Sequence, residues 1–128
     1  MSELEDFGQV LMREVRDRAI RELFDRLKET SDGTLSDESL RHPSSSADIA
    51  AIQDVIFTVV DSAIAGLLLF MDQAYRDSKF EMFSPAGNSV AGMSDGIHCE
   101  PFGQNGWIDK YSEYPSRTSI INIQADKE

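Results

Sequence analysis

Three aspartates, Asp54, Asp61 and Asp72, lie seven and eleven residues apart in one apolar stretch. Both spacings return to the same azimuth of an α-helix within about 20°, so the three acids form a line. Carboxylates in a line invite a reading as an acid–base pair or a metal site. At 1.5 Å of rise per residue, however, Asp54 and Asp61 stand about 10 Å apart and Asp61 and Asp72 about 16 Å. A paired-carboxylate hydrolase needs roughly 5 to 9.5 Å, and ligands of one metal must be closer still. The line is therefore a solvent strip or a seam of ion pairs, and an arginine of another helix is the natural counter-charge for a seam.

Asp95, His98, Cys99 and Glu100 are metal-ligand types, but no second cysteine or nearby histidine completes a zinc set, and His42 is far along the chain. His98 is adjacent to Cys99, which directs the two side chains apart and leaves a buried structural thiol as the default. Gly87 to Ser94 has the spacing of a phosphate-binding loop, yet Met93 stands where that motif needs lysine. No Gly-x-Ser-x-Gly elbow is present. No catalytic residue, metal or cofactor is implied. The residues that could line a ligand pocket, where the C-terminal part meets the helices, are Trp107, Tyr111, His98 and Asp61.

The element that must position them is a central helix over about 47–76. Its Ile52, Ile56, Val59, Ala63, Leu67, Phe70 and Ala74 share one side, which the pattern assigns to the core. Ser45 and Asp48 have capping-box spacing at its start. The longest uncharged run, Ser62 to Met71, has ten residues, against about 20 for a bilayer span. No membrane role is expected from that run.

A second helix is expected over about 3–29, rich in helix formers and free of proline. Leu4, Phe7, Leu11 and Val15 share one azimuth, while Ile20, Leu23, Phe24 and Leu27 cluster roughly 150° away on a straight wheel. A bend near Arg16 to Ala19, or different neighbours for the two halves, would reconcile them. Residues 30–46 are turn-rich and read as a loop. Residues 77–124 read as an irregular part with strand candidates at Lys79 to Phe83 and Thr118 to Gln124, and 125–128 as a frayed tail. The expected fold is a single mainly helical α+β domain: two long antiparallel helices with an irregular C-terminal part carrying one or two short strands.

With 23 acidic and 12 basic side chains the net charge is -11, which disfavours nucleic acid and suits a basic protein partner. One cysteine excludes an internal disulfide, and an acidic N-terminus without a signal pattern gives a cytoplasmic expectation. The segments Val15-Arg16-Asp17-Arg18-Ala19, Val59-Val60-Asp61, Ser94-Asp95-Gly96 and Gly106 to Tyr114 resemble small uncharacterised bacterial proteins that pair two helices with a Trp-containing C-terminal part. The resemblance implies a bacterial single domain and carries no activity. The leading functional expectation is a non-catalytic acidic binding protein, inhibitor or immunity-like, for a basic protein partner. The alternatives are a small enzyme or ligand-binding domain with a pocket beside the helices, and a self-associating protein that forms a homodimer through an exposed helix face.

Overall fold

The structure is a computed structural model that describes residues 2–31 and 46–115. The N-terminal helical run begins at Ser2, whose Oγ accepts from the Glu5 N–H at 3.2 Å. Glu3, Glu5 and Asp6 occupy the first turn, where the helix dipole favours acids. Helix α1 (Glu3–Val10) passes into a π-helical segment (Leu11–Asp17) and then into α2 (Arg18–Ser31). This segment answers the mismatch between the two apolar faces. A π turn advances each residue through a smaller angle than an α turn, so it rotates the second face back toward the first. Leu11, Met12, Ile20 and Leu27 are all buried in one cluster, with Phe7 and Phe24 packed against it.

Helix α3 (Ser46–Arg76) is unbroken, as its pattern predicts. Its orientation is not as predicted. Ile56, Val60, Ile64 and Leu68 face the core, whereas Ile52, Val59, Leu67 and Phe70 of the expected core face are exposed. Asp72 is buried and Asp61 half-buried, so of the two readings of the acid line, solvent strip or ion-pair seam, these two residues follow the seam. The acids mark a seam because donors on other elements meet them there, Arg16 at Asp61 and the Ile97 and His98 N–H groups at Asp72. By length and composition alone, Ala47–Arg76 is also apolar enough to cross a bilayer.

α3 ends where Ser78 takes a left-handed conformation at φ 55°, with the Lys79 N–H donating to the Ala74 carbonyl at 2.8 Å. The chain beyond Ser78 corrects the expected α+β fold of two antiparallel helices plus strands: the described residues contain helices and turns and no strand. Lys79 to Phe83 forms a single isolated bridge, Phe83 to Ser89, because its neighbours turn at Pro85 and Gly87 instead of extending a ladder. Two 3₁₀ turns, Ala91–Met93 and Ile97–Cys99, lead to the short helix α4 (Trp107–Tyr111). The strand candidate at Thr118 to Gln124, the loop 30–46 with its Ser45 cap, and the tail 125–128 lie outside the described residues, apart from the helix ends at Thr30, Ser31 and Ser46.

Trp107 is fully buried and lies flat over Gly8 of α1. A Cβ on Gly8 would come within 2.4 Å of the indole ring. A helical glycine costs about 1 kcal/mol against alanine, and here the cost is offset by the close approach of the largest side chain in the protein. Phe7 meets the indole edge-on at 5.9 Å between ring centroids. Gly8→Ala is expected to lower stability by about 2 kcal/mol or more despite its better helix propensity, and to shift Trp107 emission to the red. An unchanged or raised melting temperature would show that the indole does not need this glycine.

Candidate functional site

Three arrangements bring polar or apolar groups together beyond ordinary packing. The first is centred on Arg16, which is fully buried at the end of the π-helical segment. Its Nε donates to Asp61 Oδ1 at 2.7 Å and its Nη2 to Oδ2 at 3.3 Å, a two-pronged pair between the N-terminal helical run and α3. Nη1 donates to Ser112 Oγ and to the Tyr114 carbonyl, both at 2.7 Å, and Nη2 reaches the Pro115 carbonyl at 3.4 Å. The next residue, Asp17, is buried as well. It accepts from Ser112 Oγ and from the Glu113 N–H at 3.0 Å. Adjacent residues of opposite charge thus fasten Ser112 to Pro115 onto two helices at once. Phe24, Phe57 and Tyr114 cover this knot with mutual edge-to-face contacts at 5.5 to 6.2 Å.

The second arrangement is the junction of α3 with the Ile97–Cys99 turn. Asp72 accepts from the Ile97 N–H at 3.2 Å, the His98 N–H at 3.0 Å and His98 Nδ1. Burial alone pushes the Asp72 carboxyl up, but the His98 ring and the two N–H groups together outweigh it and hold it below its ordinary value. His98, with Asp95, Cys99 and Glu100, borders an open cavity of about 410 Å³. Cys99 is exposed, contrary to its expected burial. Among the described residues, no group of three or more His, Cys, Asp or Glu could hold a metal ion.

Of the four predicted pocket residues, Trp107 and Tyr111 stand one turn apart on α4, while His98 and Asp61 are held on other elements. Trp107 is in the core, Asp61 is held by Arg16, and His98 is held by Asp72. Tyr111 Oη donates to Glu5, which also receives Lys110 Nζ at 2.9 Å. The Tyr111 hydroxyl and then Lys110 keep the Glu5 carboxyl below its ordinary value. His98 and Tyr111 border different cavities.

The third arrangement was not legible from the motifs. An apolar groove of about 520 Å³ runs between α1 and the loop after α3, lined by Phe7, Val10, Met82, Phe83 and Val90. A second, of about 430 Å³, is lined by Leu67, Phe70, Met71 and Phe80 together with Phe7 and Met82. The two share Phe7 and Met82 and so form one continuous apolar surface on either side of the Phe80 to Phe83 loop. Phe80 is 70% exposed and Val10 and Phe83 each 58%. Glu3 and Asp6 border the first groove and Glu81 the second. The only signal in the sequence is the phenylalanine-rich run after α3, which alternation assigns to a strand.

Comparison with known proteins finds no matching family model, no similar curated protein and no similar solved structure.

Arg16→Met is expected to cost about 3 to 5 kcal/mol, because Asp61 is left without its counter-charge and three carbonyl or hydroxyl acceptors lose their donor. Pairing it with Asp61→Leu should recover much of the loss, as measured by urea denaturation; a single-variant cost near zero would show that the knot is dispensable. Acid should weaken the fold as well. Glu5 and Asp72 have folded values lowered from 4.5 and 3.8, so their contribution is complete above those values and is lost as the pH falls below them. Urea midpoints between pH 7 and pH 3 should drop at the acid end, and less steeply in Asp72→Asn, which is already destabilised at neutral pH.

Proposed function

We propose that this chain is an acidic, non-catalytic binding protein of inhibitor or immunity type, and that it takes a cationic amphipathic segment of a cytoplasmic protein partner in the paired grooves around Phe80 to Phe83. The observation that carries this reading is the combination of apolar floor and acidic border. A large exposed apolar surface bounded by charge is the usual mark of a protein contact. Buried anchors such as a leucine or an aromatic ring fit the floor, and lysines or arginines flanking them meet Glu3, Asp6 and Glu81. The wider charge of -11 draws such a partner in from a distance and repels nucleic acid.

Trp107 supplies the readout. It is the single tryptophan, and it touches Phe7, which belongs to both grooves. Titration with a helical lysine–leucine peptide should change its emission with a saturating curve, and salt should weaken the binding. An acidic glutamate–leucine peptide of the same pattern should not bind. Phe80→Ser and Glu81→Lys should each weaken the cationic peptide by about 1 to 2 kcal/mol without changing the fold, since both side chains are exposed. Equal binding of the two peptides, or indifference to both substitutions, would remove this reading.

A further inference from the structure

The side of α3 opposite its core has no partner within the described residues. Ala51, Val55, Val59, Ser62, Gly66, Leu69 and Gln73 lie within about 40° of one azimuth, diametrically across from Val60, Ile64 and Leu68. Every one of them is exposed. Val55 and Val59 are 59% and 58% accessible, and nothing lies within 4 Å of a Cβ built on Gly66. The stripe holds no charge from Ala51 to Gln73, although three aspartates sit in the same stretch of sequence. Charge is confined to its ends, with Asp48 in the first turn and Arg76 in the last.

We infer that this stripe pairs with the same stripe of a second copy, the two helices crossing antiparallel about a two-fold axis at Ser62. The occupant follows from the order of residues along the face. A two-fold axis at Ser62 exchanges Asp48 with Arg76, Ala51 with Gln73, and Val55 with Leu69. Each end then sets an acid of one copy against an arginine of the other, Val55 meets Leu69, and Val59 lies beside the small residues at the crossing. Parallel pairing would place Asp48 on Asp48. Ser62 and Gly66, one turn apart, are small enough at the crossing to let the axes approach toward the lower end of the usual 8 to 10 Å. A highly acidic chain repels its own copies over most of its surface, and the uncharged stripe is where two copies meet without that repulsion. The paired grooves are centred on the Leu67 and Ala74 side of α3, and Phe70 stands between them and the stripe.

Sedimentation equilibrium of the full chain should give the mass of a dimer. Val59→Glu should raise the dimer dissociation constant by more than about tenfold while leaving the circular dichroism and melting of the monomer intact, because this side chain is exposed. Asp48→Arg and Arg76→Asp should each weaken the dimer, and the two together should restore it. In a Cys99→Ser background, Ser62→Cys should form an intermolecular disulfide on mild oxidation. A monomer at the highest soluble concentration overturns the inference. So does a dimer indifferent to Val59→Glu, a charge pair without rescue, or a monomer that instead partitions into phosphatidylcholine vesicles through this face. Peptide binding at the grooves is read independently, by Trp107 emission.

Discussion

A guanidinium without solvent holds this structure together. Removing Arg16 from water is costly, and the cost is met only because each of its outward nitrogens finds an acceptor: Asp61 on α3, Ser112, and the carbonyls of Tyr114 and Pro115. No apolar side chain could enforce so specific an arrangement. Hydrophobic burial accepts many registers between two helices, whereas a two-pronged ion pair accepts one. The neighbouring Asp17 binds the same C-terminal segment with the opposite charge, so Ser112 to Pro115 is held from both signs at once.

The π-helical segment is tied to that requirement. Arg16 and Asp17 are consecutive, and consecutive residues on a regular α-helix diverge by about 100°. Both nevertheless have to reach the same C-terminal segment. The wider turn of Leu11–Asp17 reduces their divergence and at the same time realigns the apolar faces of α1 and α2. The irregularity therefore serves packing and polar bonding together. The Trp107 seat on Gly8 and the Lys110 and Tyr111 contacts to Glu5 then fix α4 against α1, completing a C-terminal part whose stability depends on the two helical runs more than on itself.

The long apolar period of α3 and the shift of face within the N-terminal run were both readable from residue spacing, because helical periodicity is a local property of the chain. The direction α3 faces was not. An isolated wheel puts aspartates at the solvent, but whether Asp61 and Asp72 are outside depends on Arg16 and on the Ile97 and His98 N–H groups, which are 45 and about 25 residues away. The idea of an arginine reaching the acid line was available from charge alone; choosing Arg16 among the six basic residues from Arg13 to Lys28 was not. The C-terminal part was misread for a related reason. Alternation at Lys79 to Phe83 has the period of a strand, but a strand needs a neighbour, and Pro85 and Gly87 bring the chain round before one can form. Gly8 carried a signal that periodicity cannot register, since the reason for a glycine in a helix lies in the residue that approaches it.

The result is a distribution of polarity that runs against the simplest expectation, with charges inside and a surplus of apolar surface outside. These two features have one origin. α3 can direct only about half of its circumference to the core, and the positions next to Arg16 and to the Ile97–Cys99 turn are spent on aspartates. Apolar side chains that those positions would otherwise have buried remain on the opposite side and beside the Phe80 to Phe83 loop. Exposed surface of this extent is a liability for a chain that stays alone, yet directional bonds in the interior keep it from being drawn inward by rearrangement. A surface held open in this way is suited to burial against another molecule, because association then requires little reorganisation of the fold.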